Sequence, residues 1–167
     1  MPSIGPISAA PTPDLWVGPF DPRTLAAGGA VAPATASKAL FYAFTVHAPV
    51  TVGHANILVG TQSGNVDLGI YDTAGNRLAS TGSTACGDGS AVQTIALTAS
   101  ITLIPGVVYW AAFCADNTSA AFFTSGSLPG FNNPGFLYRT LTSFPLPISV
   151  TPVPNTADRL FTVWFTA

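Results

Sequence analysis

The sequence predicts an all-β protein: an antiparallel β-sandwich, jelly-roll-like, that follows an extended proline-rich N-terminal arm. Three observations lead to this fold class. Bulky and small or polar residues alternate with a period of two along many short segments, Gly and Pro turns separate these segments, and no long stretch shows helical periodicity. We expect residues 1–36 to form the arm and residues 37–167 to form a single sandwich domain, a length that supports one ordinary core.

Prolines punctuate the predicted arm at positions 2, 6, 11, 13, 19, 22 and 33. Each one lacks a backbone donor and biases the preceding residue towards extended geometry, which excludes a helix or a central strand. An apolar cluster that a solvated linker would not need lies among these prolines: Leu15, Trp16, Val17 and Phe20. We expect this cluster to anchor the arm on a protein surface. That surface is either a neighbouring subunit or an open edge of the chain's own sandwich.

The domain itself begins with a clear period-two alternation at Lys38 and contains eight to ten predicted strands. The segment 107–115 is apolar or small on both faces, which predicts a central strand that is covered on both sides. The segment 145–154 contains four prolines, which exclude it from the middle of a sheet. The predicted strands cover residues 40–47, 51–59, 66–71, 77–80, 92–98, 101–104, 107–115, 121–124, 137–141 and 160–165.

A tight turn is predicted over residues 72–76, the sequence Asp-Thr-Ala-Gly-Asn, with Gly75 and Asn76 taking positive φ. His47 and His54 flank Pro49, and they would approach each other if the strands on either side formed a hairpin. A metal site needs more ligands than two imidazoles, so we expect two polar residues at a strand end.

Charged residues are scarce, at 7% of the chain, whereas roughly 25% is usual. The chain has no Glu, and Lys38 is its single Lys. Ordinary surfaces depend on such residues for solubility. Two classes of protein tolerate this composition: secreted proteins with a neutral polar coat, and subunits packed in an assembly. The hydrophobic content of 48% favours the second class.

The same composition argues against several partners and activities. A net charge of −2 does not suit binding to a phosphate backbone, and no apolar run reaches the roughly 18 residues of a membrane span. The N-terminal residues lack the basic and apolar regions of a signal peptide. A Gly-x-Ser-x-Gly motif does not occur, and carboxylate pairs could come only from Asp. We therefore expect no enzyme, no cofactor and no metal.

Two further groups of residues are candidates for a structural or binding role. Cys86 and Cys114 either form a disulfide or remain one buried and one semi-exposed thiol, since spacing alone cannot decide their geometry. Phe131, Phe136 and Tyr138 lie in or beside predicted loops. Aromatic residues there stack on sugars, anchor a protein interface or pack beneath their own loops.

Two segments carry a resemblance to a known class of module. Residues 65–80 read NVDLGIYDTAGNRLAS and residues 103–112 read LIPGVVYWAA. Together they resemble the jelly-roll-like β-sandwich modules of bacteriophage virion proteins: head decoration proteins, head fibres and tail fibres. The resemblance covers about residues 38–125. Secreted bacterial pre-peptidase-like domains and some carbohydrate-binding modules share the pattern.

The resemblance implies a structural virion protein without catalytic residues. The form we expect is a capsid decoration, or cement, protein that stabilises a phage head through contacts with the major capsid protein. We expect it to be a homo-oligomer, a trimer or a dimer, located in the virion after assembly in the host cytoplasm. The alternative is a fibre or adhesin-type domain, extracellular, that binds host-surface glycans through its loop aromatic residues.

Overall fold

The structure, a computed structural model, describes residues 16–19, 29–33, 35–124, 137–140, 144–151, 153–154 and 161–167. Of residues 16, 137–140 and 153–154 it describes the backbone. Within these ranges every regular element is a β-strand and every strand pairing is antiparallel. Two sheets pack face to face, so the predicted all-β sandwich is confirmed.

The front sheet has six strands, in the order β1-β13-β4-β10-β2, with β8 beside β4. Its long central strand β4 pairs with β8 on one side and with both β13 and β10 on the other. These strands are β1 (Trp16–Val17), β2 (Ala30–Val31), β4 (Val50–Thr61), β8 (Ala91–Leu103), β10 (Ala121–Phe123) and β13 (Val163–Thr166).

The back sheet has seven strands, in the order β12-β11-β3-β9-β5-β6, with β7 also beside β5. These strands are β3 (Lys38–Phe44), β5 (Asn65–Tyr71), β6 (Arg77–Ser80), β7 (Thr84–Ala85), β9 (Tyr109–Ala115), β11 (Leu137–Thr140) and β12 (Val153–Pro154). Strand β9 lies in the middle of this sheet and every one of its residues is buried. The central strand predicted over residues 107–115 is therefore confirmed, beginning two residues later than predicted.

Aromatic side chains from both sheets fill the space between the two layers. The rings of Phe44 in the back sheet and Phe165 in the front sheet stack with centroids 6.0 Å apart. Phe113 of β9 contacts Phe122 of β10 at 5.0 Å and Phe161, next to β13, at 4.7 Å. Because side chains alternate along each strand, these rings come from the inward positions and lock the two sheets together.

Strand β8 is one continuous strand, whereas the sequence predicts two segments over residues 92–98 and 101–104. Its register against β4 shifts: Val52 opposes Ile101, but His54 opposes Ala96. Strand β8 therefore carries extra residues between positions 96 and 101. A bulge of this kind interrupts the alternation without ending the strand, which is why the sequence pattern reads as two pieces.

The hairpin considered around Pro49 does not form. Strand β3 belongs to the back sheet and β4 to the front sheet, so residues 45–49 cross from one layer to the other. His47 is exposed in this crossing and His54 lies in the front sheet. Strands β3 and β4 are consecutive along the chain, but this crossing puts them in different sheets, where they do not pair.

The tight turn over residues 72–76 is confirmed, and one detail of it is corrected. The Asp72 backbone N–H donates to the backbone carbonyl oxygen of Asn76 at 3.0 Å. The Gly75 N–H donates to the backbone carbonyl oxygen of Asp72 at 3.1 Å. Gly75 takes φ of 85°, but Asn76 keeps a negative φ. Asn76 begins the return strand through a bridge to Ser149, which requires ordinary extended geometry.

Replacing Phe113 by Ala tests the contact between the layers. Phe113 is fully buried between two rings of the opposite sheet. We expect the free energy of unfolding to fall by about 3–5 kcal/mol because the substitution leaves a cavity. Denaturant unfolding measures this loss. The control is Ile104→Ala at a position that is 51% exposed, and a Phe113→Ala loss as small as the control's would contradict the packing described.

Candidate functional site

The N-terminal apolar cluster lies, where the structure describes it, on the chain's own front sheet. Trp16 pairs with Thr166 and Val17 pairs with Phe165, so β1 extends the sheet beyond β13. The Val17 side chain packs against the core. Leu15 and Phe20 lie outside the described residues. The backbone pairing corresponds to the alternative of an arm on its own sandwich edge, whereas a role of the cluster in binding a partner stays a prediction.

The two sheets differ sharply in charge. The front-sheet strands, as described, contain no Asp, Glu, Lys or Arg. The back-sheet strands contain Lys38, Asp67, Arg77 and Arg139. Among the described strands, the few charged residues of the chain therefore lie in the back sheet, and the front sheet has none. The front sheet is the candidate interaction surface.

On the outer face of the front sheet, polar side chains bond one another across the strands. Asn56 of β4 accepts a hydrogen bond from the Thr94 hydroxyl of β8 at 2.7 Å and donates to the Thr166 hydroxyl of β13 at 3.3 Å. The hydroxyls of Thr51 and Thr102 lie 2.8 Å apart. These bonds satisfy several polar side chains within the sheet. Asn56 is 4% exposed and Trp164, its partner on β13, is 8% exposed, so this part of the face is already largely removed from water.

The outer face of the back sheet is covered by the proline-containing segment 144–151. Asp67, fully buried on β5, accepts a hydrogen bond from the Leu146 N–H at 3.0 Å and another from the Thr81 hydroxyl at 3.2 Å. Leu146 is itself buried. A Cβ at Gly69 would lie 3.1 Å from the Leu146 side chain, so the glycine makes room for it. Asp67 therefore holds this covering segment at its centre.

Further bonds hold the covering segment along its length. The Tyr71 hydroxyl donates to the Pro147 oxygen, and the Arg77 guanidinium donates to the Leu146 oxygen. The Arg77 N–H donates to the Ile148 oxygen at 2.9 Å, and the Val150 N–H donates to the Gly75 oxygen at 2.8 Å. The segment is thus bonded to the back sheet as a third layer. Its exclusion from a central strand, predicted from the prolines, agrees with this position.

The electrostatics of Asp67 follow from its burial. Desolvation raises the pKa of this carboxyl above its ordinary value of 3.8, and the hydrogen bonds from Leu146 and Thr81 and the charge of Arg77 offset part of the rise. In the sequence, Asp67 is only one of the aspartates that could supply a carboxylate pair. The signal that could have identified its role is a single charged residue between Val66 and Leu68 in an otherwise apolar strand, since buried charges require partners.

Two other aspartates serve turns. Asp72 accepts hydrogen bonds from the Asn76 backbone and side chain, chiefly the latter, and these lower its pKa. Desolvation raises the pKa of Asp116, but hydrogen bonds from Asn65 and Asn117 outweigh it, so the net pKa is lowered. Both carboxylates are therefore already committed to local structure.

The two cysteines are free and both are buried, which differs from the expected semi-exposed thiol. Cys114 pairs with Asp67 on one side of β5, whereas the Cys86 N–H donates to Gly64 next to the strand's other side. Two strand spacings of about 4.8 Å each exceed the roughly 7 Å limit for Cα atoms of a disulfide. Desolvation, then the charges of Asp67 and Asp116, raise the pKa of the Cys114 thiol to about 12, which leaves it unreactive at neutral pH.

The predicted loop aromatics are only partly visible. Phe131 and Phe136 lie outside the described residues. The backbone of Tyr138 belongs to β11, where it pairs with Leu40 and Val153. The glycan-stacking role considered for these three residues stays a prediction.

Within the described ranges, no group of three or more His, Cys, Asp or Glu residues is arranged to hold a metal ion. The same part of the chain contains no helix that is long and apolar enough to cross a membrane. Comparison with protein-family models, with curated proteins and with solved structures finds no match. The resemblance to phage virion modules therefore rests on the two sequence segments that carry it.

The pH dependence of stability tests Asp67. Because its pKa is raised in the folded state, its contribution is full below the unfolded pKa of about 4 and is lost as pH rises through the folded pKa. In Asp67→Asn the amide oxygen can still accept from Leu146 and the charge is gone. We expect this variant to gain stability relative to the unmodified protein as pH rises from about 3 to 7. Urea unfolding across that range measures the difference.

Asp67→Ala separates charge from hydrogen bonding in the same experiment. This variant leaves the buried Leu146 N–H without its acceptor, which we expect to cost about 1–3 kcal/mol relative to Asp67→Asn. Parallel pH curves for the unmodified protein and Asp67→Asn would show that the carboxylate is not buried in solution.

Truncation of Leu146 tests the covering layer. We expect Leu146→Ala to speed hydrogen exchange at the amides of Arg77 and Val150, which bond to or from this segment, and to leave Phe113 in the central strand protected. The matched control is Ile148→Ala in the same segment, at a side chain that is 75% exposed. Equal exchange in both variants would contradict a packed third layer.

Proposed function

We propose that this protein is a structural, non-catalytic subunit of a virion: a decoration protein that packs on a phage head and stabilises it through contacts with the major capsid protein. The observation that carries the proposal is the front sheet, whose described strands hold no charged residue. The sequence resemblance supplies the class of assembly, and the charge distribution supports the packing role.

An uncharged face loses little when another protein covers it. Burial of an ion requires the removal of its water shell, a cost that a face without ions avoids. The polar atoms of Asn56, Thr94 and Thr166 already bond one another, so they need few new partners in an interface. The cores of protein interfaces are depleted of charged residues in the same way. These features favour a surface that is covered by protein in its working state.

The hydrogen bonds between the back layers favour the same role. Segment 144–151 is bonded to the back sheet through Asp67 and its neighbours. A subunit that is ordered before it binds loses less conformational entropy on binding. The charged residues of the described strands lie in the back sheet. We propose that the front sheet faces the capsid and the back layers face solvent.

The test is binding to phage heads that lack this protein, prepared from the phage whose genome encodes it. We expect the chain to sediment with the heads and to raise their melting temperature. Thr51→Asp places a charge on the exposed outer face of the front sheet, and we expect it to weaken binding at least about tenfold because that charge would be buried.

The matched control is Thr45→Asp, an exposed Thr in the crossing between the layers, which we expect to bind like the unmodified chain. Absence of the chain from purified virions by mass spectrometry would contradict the proposal. Binding to host envelopes with no effect on head stability would instead support the fibre or adhesin alternative.

A further inference from the structure

We propose that strand β8 is a pairing site for a second copy of this chain, which adds its own β8 antiparallel across a twofold axis and joins two front sheets into one. Such pairing would occur in the isolated chain, independently of a virion role. Strand β8 differs in length and composition from the other strand edges of the sandwich.

The other edges carry features that resist pairing with another chain. Strands β1 and β2 have two residues each, too short to offer a ladder. Strand β12 also has two residues, one of them Pro154, and β6 has four residues that begin with Arg77. Short strands, prolines and charged side chains are the usual means by which proteins protect sheet edges.

Strand β8 has none of these three features. It is 13 residues long, it contains no proline and no charged residue, and among the described residues it pairs with β4 alone. The backbone donors and acceptors on its remaining side have no described strand partner, although β6 of the back sheet contacts β8, and the strand has the composition of an interior strand. An edge of this kind is a template for another strand.

The bulge limits the pairing site to the first half of the strand. Positions 91–96 pair in steady register with β4, and the register shift follows directly after Ala96. A bulge twists its strand and interrupts any ladder on it. The available ladder is therefore residues 91–96, whose outward side chains Val92, Thr94 and Ala96 are exposed.

A second copy is the occupant that this chemistry favours. Around a twofold axis each residue near the centre lies close to its own copy, so a charged strand would bring like charges together. Strand β8 has no charged residue that would repel the second copy. Its exposed side chains are small or β-branched, which suits packing between neighbouring strands. Strand β6 of the opposite layer contacts β8 and carries a further exposed apolar residue, Leu78, 40% exposed.

The expected dimer is weak. A ladder of about six residues a side buries less than the roughly 1,200 Å² of an ordinary stable interface. We therefore expect a dissociation constant in the micromolar range or above, visible only as a dependence on concentration.

Sedimentation velocity over about a hundredfold range of concentration is the first measurement, and we expect a shift from monomer to dimer. Val92→Lys adds a charge to the proposed ladder at an exposed position, and we expect it to weaken the dimer at least about tenfold. Ile148→Lys, at an exposed branched side chain of the covering segment, is the matched control and should dimerise like the unmodified chain.

Hydrogen exchange of the unmodified chain at low and high concentration locates the contact without any substitution. We expect added protection at high concentration in residues 91–96. A chain that stays monomeric throughout the range, a dimer without that protection, or a folded Val92→Lys variant that dimerises unchanged would each overturn the proposal.

Discussion

The bond between the Asp67 carboxylate and the Leu146 N–H is the constraint on which the back of the molecule depends. It places a charged group beneath a covering segment, where Thr81 and Arg77 help to accommodate it. A buried carboxylate without these partners would be strongly unfavourable. The segment 144–151 and the acid therefore require each other: the segment buries the acid, and the acid holds the segment.

This arrangement makes the two faces of the sandwich unlike. The back sheet is covered by a bonded third layer and holds the charged residues of the described strands. The described strands of the front sheet contain no Asp, Glu, Lys or Arg, and outward polar groups on three of them bond one another. A surface that neither attracts counter-ions nor lacks hydrogen-bond partners suits contact with protein. The proposed capsid contact and the proposed pairing through β8 use two different parts of that sheet, its outer face and its free edge.

The edges of the front sheet show how the N-terminal segment contributes to the domain. Strand β1 lies beside β13 and β2 lies beside β10, so two short pieces of the proline-rich segment protect that side. No described strand protects β8 on the other side. Among the described strands, one side of this sheet is therefore protected, and β8 on the other side has the composition of an interior strand.

The sequence alone predicted the strands of three or more residues, because the period-two alternation is local and each of these strands needs only its own residues to show it. It divided β8 in two and missed β1, β2, β7 and β12, which have two residues each and depend on a neighbouring strand. Segment 107–115 was recognisable as central and segment 145–154 as non-central for the same reason. The tertiary structure decided which strands share a sheet, which separated His47 from His54 and left Cys86 and Cys114 unbonded. It also joined Asp67 to Leu146, 79 residues away along the chain. Contacts of that range depend on the packing of whole layers, which no local pattern encodes.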